Sequence, residues 1–114
     1  MTQHDEGIRL RHMYDYAREA VELASGRRRQ DLDTDRMLNL ALVRLAEVVG
    51  EAATRISKET KEKMVDIPWP QVVGLRNRLI HAYDEVDFDI LWKITQEDLP
   101  TLVASLRKVL EDQL

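Results

Sequence analysis

The chain has 114 residues, with 17 Lys and Arg against 21 Asp and Glu, a net charge of -4 and no cysteine. That length makes a single domain over residues 1–114, whose core removes roughly two-thirds of the unfolded surface from water. The missing cysteines exclude disulfide scaffolds, thiolate metal sites and cysteine nucleophiles, and the acidic balance excludes indiscriminate nucleic-acid binding, so any RNA contact must be local. Charged residues at 33% and hydrophobic ones at 44%, with 5% aromatic, 4 Gly and 3 Pro, fit a compact helical protein and not a disordered chain or a β-sandwich. No apolar run approaches the ~18 residues of a membrane span. The polar start, Met1 to Gly7, lacks a signal-peptide apolar region, so the cytoplasm is the expected location.

In chain order, Ile8, Met13, Ala17, Ala20, Val21 and Ala24 supply the apolar side of a first helix, with Arg9, Arg11, Asp15, Arg18, Glu19 and Glu22 on its polar side. Gly26 ends it, and Arg27-Arg28-Arg29 follows as a basic connection, either a solvated turn or a patch that guides RNA. Asp33, Thr34 or Asp35 caps a long second helix, whose apolar face runs through Met37, Leu38, Ala41, Leu42, Leu45, Val48, Val49, Ala52 and Ile56. Leu40 and Val43 lie off that face, which makes the helix the spine of a bundle or part of a subunit interface. Gly50 inside it predicts a close helix approach. Ser57 opens a polar stretch, Lys58 to Asp66, that holds a short helix.

Ile67-Pro68-Trp69-Pro70 breaks the pattern, because each proline disfavours helical geometry in the residue before it. Pro70 suits the first turn of the next helix, expected from Pro70 to about Ala82. Asp84 to Asp89 then forms an acidic loop, followed by a short helical turn near Ile90 to Ile94. The last helix begins between Thr95 and Pro100, with Leu99, Leu102, Val103, Leu106, Val109 and Leu110 as its apolar stripe. No β-hairpin signal, internal repeat or low-complexity segment is present.

The helix from Pro70 carries Arg76-Asn77-Arg78-Leu79-Ile80-His81-Ala82-Tyr83, dense in site chemistry for an ordinary core helix. On a wheel of 3.6 residues per turn, Arg76 falls among Val72, Val73, Leu75, Leu79 and Ile80, where an unpaired guanidinium would cost several kcal/mol. It therefore needs a carboxylate, a bound phosphate or a wet interface. Asn77 and His81 are four residues apart on the flank, and Tyr83 on the extended wheel returns beside Arg76. Gly74 on the Asn-His side leaves room for a ligand or a second helix. A purely architectural account is also open: Arg76 pairs with Glu47 or Glu51, His81 caps helix carbonyls and Tyr83 anchors the corner.

The spacing of Arg76, His81 and Tyr83 resembles the signature of the HepT-like toxins of the HEPN superfamily. The resemblance covers nearly the whole chain, since Arg9-Leu10-Arg11-His12-Met13, Gly50-Glu51-Ala52-Ala53, Ile67-Pro68-Trp69, Val86-Asp87 and Asp98-Leu99-Pro100 look like further landmarks of that family. It implies a metal-independent ribonuclease with a composite site at a homodimer interface, acting as the toxin of a toxin-antitoxin pair. The implied partner is an MntA-type nucleotidyltransferase antitoxin that neutralises the toxin by AMP transfer to the motif tyrosine, here Tyr83. No cofactor is implied.

Residue chemistry agrees with that reading. Cutting RNA without a metal requires a base for the 2'-hydroxyl, an acid for the leaving 5'-oxygen and a cation for the charge on phosphorus. A symmetric dimer supplies His81 twice and Arg76 twice, so one His serves as base and the other as acid. Arg76 would hold the scissile phosphate, Asn77 would orient His81 or substrate, and Arg78 would touch a neighbouring phosphate. There is no glycine-rich phosphate loop, metal-binding motif or Gly-x-Ser-x-Gly nucleophile. Asp84, Glu85, Asp87 and Asp89 form a solvated loop and not a cation site, since the EF-hand glycine and terminal Glu are missing. The expected architecture is an all-α, up-and-down bundle of four main helices with one or two short ones, homodimeric. Two other functional classes remain: a non-catalytic adaptor presenting nucleotide or RNA to the nucleotidyltransferase, and an interaction subunit in which the motif organises a dimer.

Overall fold

The computed structural model describes residues 3–82 and 85–112, the side chains of residues 3, 4, 81, 82 and 112 excepted. Helix α1 (Gln3–Ala24) leads through a turn to α2 (Asp31–Thr34) and the long α3 (Arg36–Thr54). Four short pieces follow: α4 (Lys58–Lys63), α5 (Trp69–Val73), α6 (Leu75–Leu79) and a ribbon of two strands, β1 (Ile80–Ala82) and β2 (Glu85–Val86). The chain ends in one unbroken helical run made of α7 (Phe88–Lys93), a π-helical segment (Ile94–Asp98) and α8 (Leu99–Asp112). The fold is all-α, as expected.

Local chemistry explains most of the boundaries. Gly26 stands at φ 76 after α1, a left-handed conformation that a residue without Cβ adopts freely. Asp35 caps α3 by accepting a hydrogen bond from the Leu38 amide at 3.0 Å. Ser57 caps α4 through the Thr60 amide, and Asp87 caps α7 through the amides of Asp89 and Ile90.

The core runs along α3, which packs against α1 on one side and α5 and α6 on the other, while α8 packs on α1. Met13, Ala17, Ala20, Leu42, Ala46, Val49, Leu99 and Leu106 are fully buried. Gly50 lies where a Cβ would come within 3.3 Å of the Val72 carbonyl oxygen, so the close approach expected of it occurs between α3 and α5. Two assignments to apolar faces are corrected. Ile8 is 43% and Met37 83% exposed, whereas Leu10, not counted among the core positions of the first helix, is buried. Neither exposed side chain lies on the side of its helix that a neighbour covers.

The expected single helix from Pro70 to about Ala82 is also corrected. It breaks at Gly74, which caps α5 and precedes α6, and it stops at Leu79. Ile80 is extended, with φ -109 and ψ 115. The Leu79 carbonyl accepts from the Asp87 amide at 2.9 Å, so the residue after the returning strand takes a carbonyl that a longer helix would have used. β1 and β2 pair antiparallel, Ile80 with Val86 and Ala82 with Glu85, and the register shifts between the two pairs. His81 is the residue left over in that shift. The hairpin was not foreseen, because strands of three and two residues carry too little alternation to register as a period of two.

Candidate active site at the end of helix α6

Helix α6 has five residues and buries Leu75 and Leu79 against the core. Its other positions face outward or sideways. Arg76 is not in the middle of an apolar face: its side chain is 71% exposed, and its Nε lies 3.5 Å from Glu47 Oε2 on α3. The break at Gly74 is the reason, since it removes Val72 and Val73 from the wheel to which Arg76 belongs. Of the two carboxylates considered for Arg76, Glu47 holds it, and Glu51 pairs with Arg55 instead. Asn77 is exposed.

Arg78 is engaged more firmly. Its Nη1 donates to Asp98 Oδ2 at 2.6 Å and its Nη2 to Oδ1 at 3.5 Å, and both side chains are largely covered, 31% and 20% exposed. Asp98 closes the π-helical segment. In the sequence Asp98 stands in a family-like landmark with no evident partner; twenty residues separate it from Arg78, so only the tertiary structure joins them.

The side chain of His81 and the whole of Tyr83 lie outside the described residues. The backbone nevertheless settles that His81 is not four residues along one helix from Asn77, because α6 ends before it. His81 occupies the slipped position of the ladder, and such bulges re-aim side chains and recur next to active sites.

Elsewhere, the Arg27-Arg28-Arg29 turn is bound by acidic neighbours. Arg27 pairs with Asp35 at 3.3 Å, and Arg29 pairs with Asp33 at 3.1 Å and Asp89 at 2.6 Å. A different basic cluster forms on α1 and α8. The guanidiniums of Arg11, Arg18 and Arg107 lie 5.9, 5.6 and 5.9 Å from the Tyr14 ring centre, and Arg107 Nε donates to the Tyr14 hydroxyl at 3.1 Å. The recurrence of Arg11, Tyr14 and Arg18 at helical spacing was the available signal for it. An open groove of about 310 Å³ lies between Lys63 to Ile67 and α8, but no residue of the Arg76 motif lines it.

Comparison with known proteins decides the family. A model of the ribonuclease HepT-like family matches residues 13–109. The chain belongs to the ribonuclease HepT-like family. The match runs from the middle of α1 into α8, so the α6 motif and the π-helical segment that holds Arg78 both fall within it. The HepT-like chain is 33% identical over 102 residues to "Putative RNase MJ1380" of Methanocaldococcus jannaschii, covering 90% of this chain and 94% of the relative. It is 36% identical over 95 residues to "Probable ribonuclease HepT" of Thermococcus cleftensis, covering 80% and 86%. No solved structure matches significantly.

Proposed function

We propose that this HepT-like protein is a metal-independent ribonuclease that acts as a cytoplasmic toxin and cuts RNA at a composite site between two identical subunits. The observation that carries the reading is Arg76, an exposed guanidinium that among the described residues meets one carboxylate, at the long distance of 3.5 Å, in a chain of a ribonuclease family. A cation so held is free to exchange its carboxylate for a phosphate, which binds a guanidinium with charge-assisted hydrogen bonds.

In this mechanism Arg76 grips the scissile phosphate and stabilises the charge that builds on its oxygens. The 2'-hydroxyl loses its proton to His81 of one subunit and attacks phosphorus, while His81 of the other protonates the departing 5'-oxygen. The products are a 2',3'-cyclic phosphate and a free 5'-hydroxyl. Asn77, exposed beside Arg76, orients the histidine or the substrate. RNA is cut and DNA is not, because the nucleophile is the 2'-hydroxyl. A nucleotidyltransferase antitoxin of the MntA type silences the site by placing AMP on Tyr83, whose added phosphate repels the RNA backbone.

The test is cleavage in excess EDTA with analysis of the ends. Persistent activity with cyclic or 3'-phosphate ends is expected, and activity that disappears in chelator and returns with magnesium would overturn the mechanism. His81→Ala should lower the rate by about 10² to 10⁴-fold. If that variant instead retains RNA binding and dimerisation while the wild type shows no cleavage, the adaptor reading replaces this one.

A further inference from the structure

We infer that Arg78 acts through Asp98 as a positioning residue, fixing the roll of α6 and the point at which the chain leaves it for the strand that carries His81. A helix of five residues has little stability of its own, and α6 buries just two side chains, Leu75 and Leu79, where it lies against α3 and α7. Two apolar side chains one turn apart resist rocking about the helix axis only weakly, because apolar packing has no fixed direction. Arg76 and Arg78 are two residues apart and so leave the helix on nearly opposite flanks. Glu47 from α3 meets the first, and Asp98 from the π-helical segment meets the second.

The two braces differ in strength. Arg76 and Glu47 make one exposed contact of 3.5 Å, while Arg78 and Asp98 make a forked pair with a bond of 2.6 Å and most of its surface covered. Forked, partly desolvated pairs of arginine with carboxylate are the strong ones. When substrate draws Arg76 from Glu47, the Asp98 brace remains and keeps α6 in place. Freeing Arg78 for a phosphate would instead strand the Asp98 carboxylate, 20% exposed, next to an anionic substrate.

The placement of Asp98 and the root of the hairpin point the same way. A π-helical turn inside a long helix is rare and recurs at functional sites, and here its last residue is the one that receives Arg78. β1 begins two residues after Arg78, and the register shift at His81 comes one residue later. The return strand leads into α7, where Arg29 holds Asp89 at 2.6 Å. The outgoing and returning ends of the hairpin are thus each tied by an ion pair from a distant part of the chain.

The activity arm of the test rests on the ribonuclease reading; the exchange arm does not. Asp98→Asn, nearly isosteric, should lower kcat by about 10²-fold with KM little changed, the cost of misplacing a reacting group by about 1 Å. Amide hydrogen exchange should accelerate across Ile80 to Ala82 and stay unchanged in α1 and α3. The swap of Arg78→Asp with Asp98→Arg should recover most of kcat and of the protection. An Asp98→Asn protein with the wild-type rate and exchange would overturn the inference. So would an Arg78→Gln protein that binds RNA more weakly, with a salt slope reduced by about 0.7 for one lost phosphate contact, while Asp98→Asn binds and cleaves normally. Should the wild type fail to cleave RNA at all, the ribonuclease reading falls, and the exchange rates at Ile80 to Ala82 still decide the positioning role.

Discussion

Arg76 and Glu47 face each other across the seam between α6 and α3, Nε to Oε2 at 3.5 Å, with the arginine side chain 71% and the glutamate 25% exposed. Under the proposed mechanism this carboxylate steadies the guanidinium and competes with an anionic substrate for it. Exposed pairs of this kind contribute about 0.2 to 1 kcal/mol. Glu47→Gln should therefore lower KM for RNA by up to about fivefold, the ratio that about 1 kcal/mol supports. Arg76→Ala should lower kcat by about 10² to 10³-fold, as expected for loss of a group that stabilises developing charge. Steady-state cleavage of a short RNA measures both. A Glu47→Gln protein with raised KM would show that the carboxylate orients Arg76 rather than competing for it.

Met37 and Leu40, 83% and 51% exposed, precede Glu47 on α3 at spacings of ten and seven residues. Those spacings put the three on one stripe of the helix. Two such side chains at one end of the stripe that leads to the Arg76 pair fit a seam between subunits. Light scattering should give twice the chain mass for the wild type. Leu40→Asp should yield monomers and abolish cleavage together, since the composite site proposed above draws on both subunits. A monomeric wild type that cleaves RNA would require a second acid within the same chain.

Incubation with ATP, magnesium and the cognate nucleotidyltransferase should add AMP to Tyr83, located by mass spectrometry, and cleavage should cease. Tyr83→Phe lacks the acceptor hydroxyl and should stay active in the presence of the partner. The grounds are its place in the motif, two residues after His81, and no longer a helical wheel, because α6 ends at Leu79. An adduct on Tyr14 or Tyr16 instead would sever this regulation from the motif.

Glu6 ties the start of α1 to the start of α4. It is 8% exposed, and accepts from the Ser57 amide at 2.5 Å and from the Thr60 hydroxyl. The Thr60 hydrogen bond above all holds its carboxyl below the ordinary carboxylate range, against burial, which pushes it up. A depressed folded value means that the carboxylate stabilises the fold above its ordinary titration range and that this contribution is lost as pH falls through the lower folded value. Glu6→Gln should thus cost about 1 to 3 kcal/mol near neutral pH. The difference from wild type should shrink in acid, as urea melts across a pH series would reveal. A pH-independent difference would assign the loss to packing alone.

Much of the scaffold was legible in the residues themselves. The start of α3 was legible to within Asp33, Thr34 and Asp35, because short polar side chains satisfy free amides where a helix begins, and the structure selects Asp35. Gly26 ends α1 and Gly50 admits α5 for reasons that a single residue type announces. The site was legible as a set of residues and not as an arrangement. The Arg76 motif stood out by its density of polar groups, yet the wheel drawn through it assumed one continuous helix.

By itself the sequence determined the helical class, the cap of α3 to within three residues, the apolar stripe of α8, that of α3 apart from Met37, and the segment that bears the candidate chemistry. These depend on side-chain type and on spacing within one element. Only the tertiary structure decided that α6 stops at Leu79, that His81 falls at a slipped strand pair, that Glu47 rather than Glu51 meets Arg76, and that Arg78 belongs to Asp98. Each of those depends on a partner distant in sequence. A helix ends where another segment takes its last carbonyls, and a charged side chain settles on whichever opposite charge the packing of separate elements brings within reach.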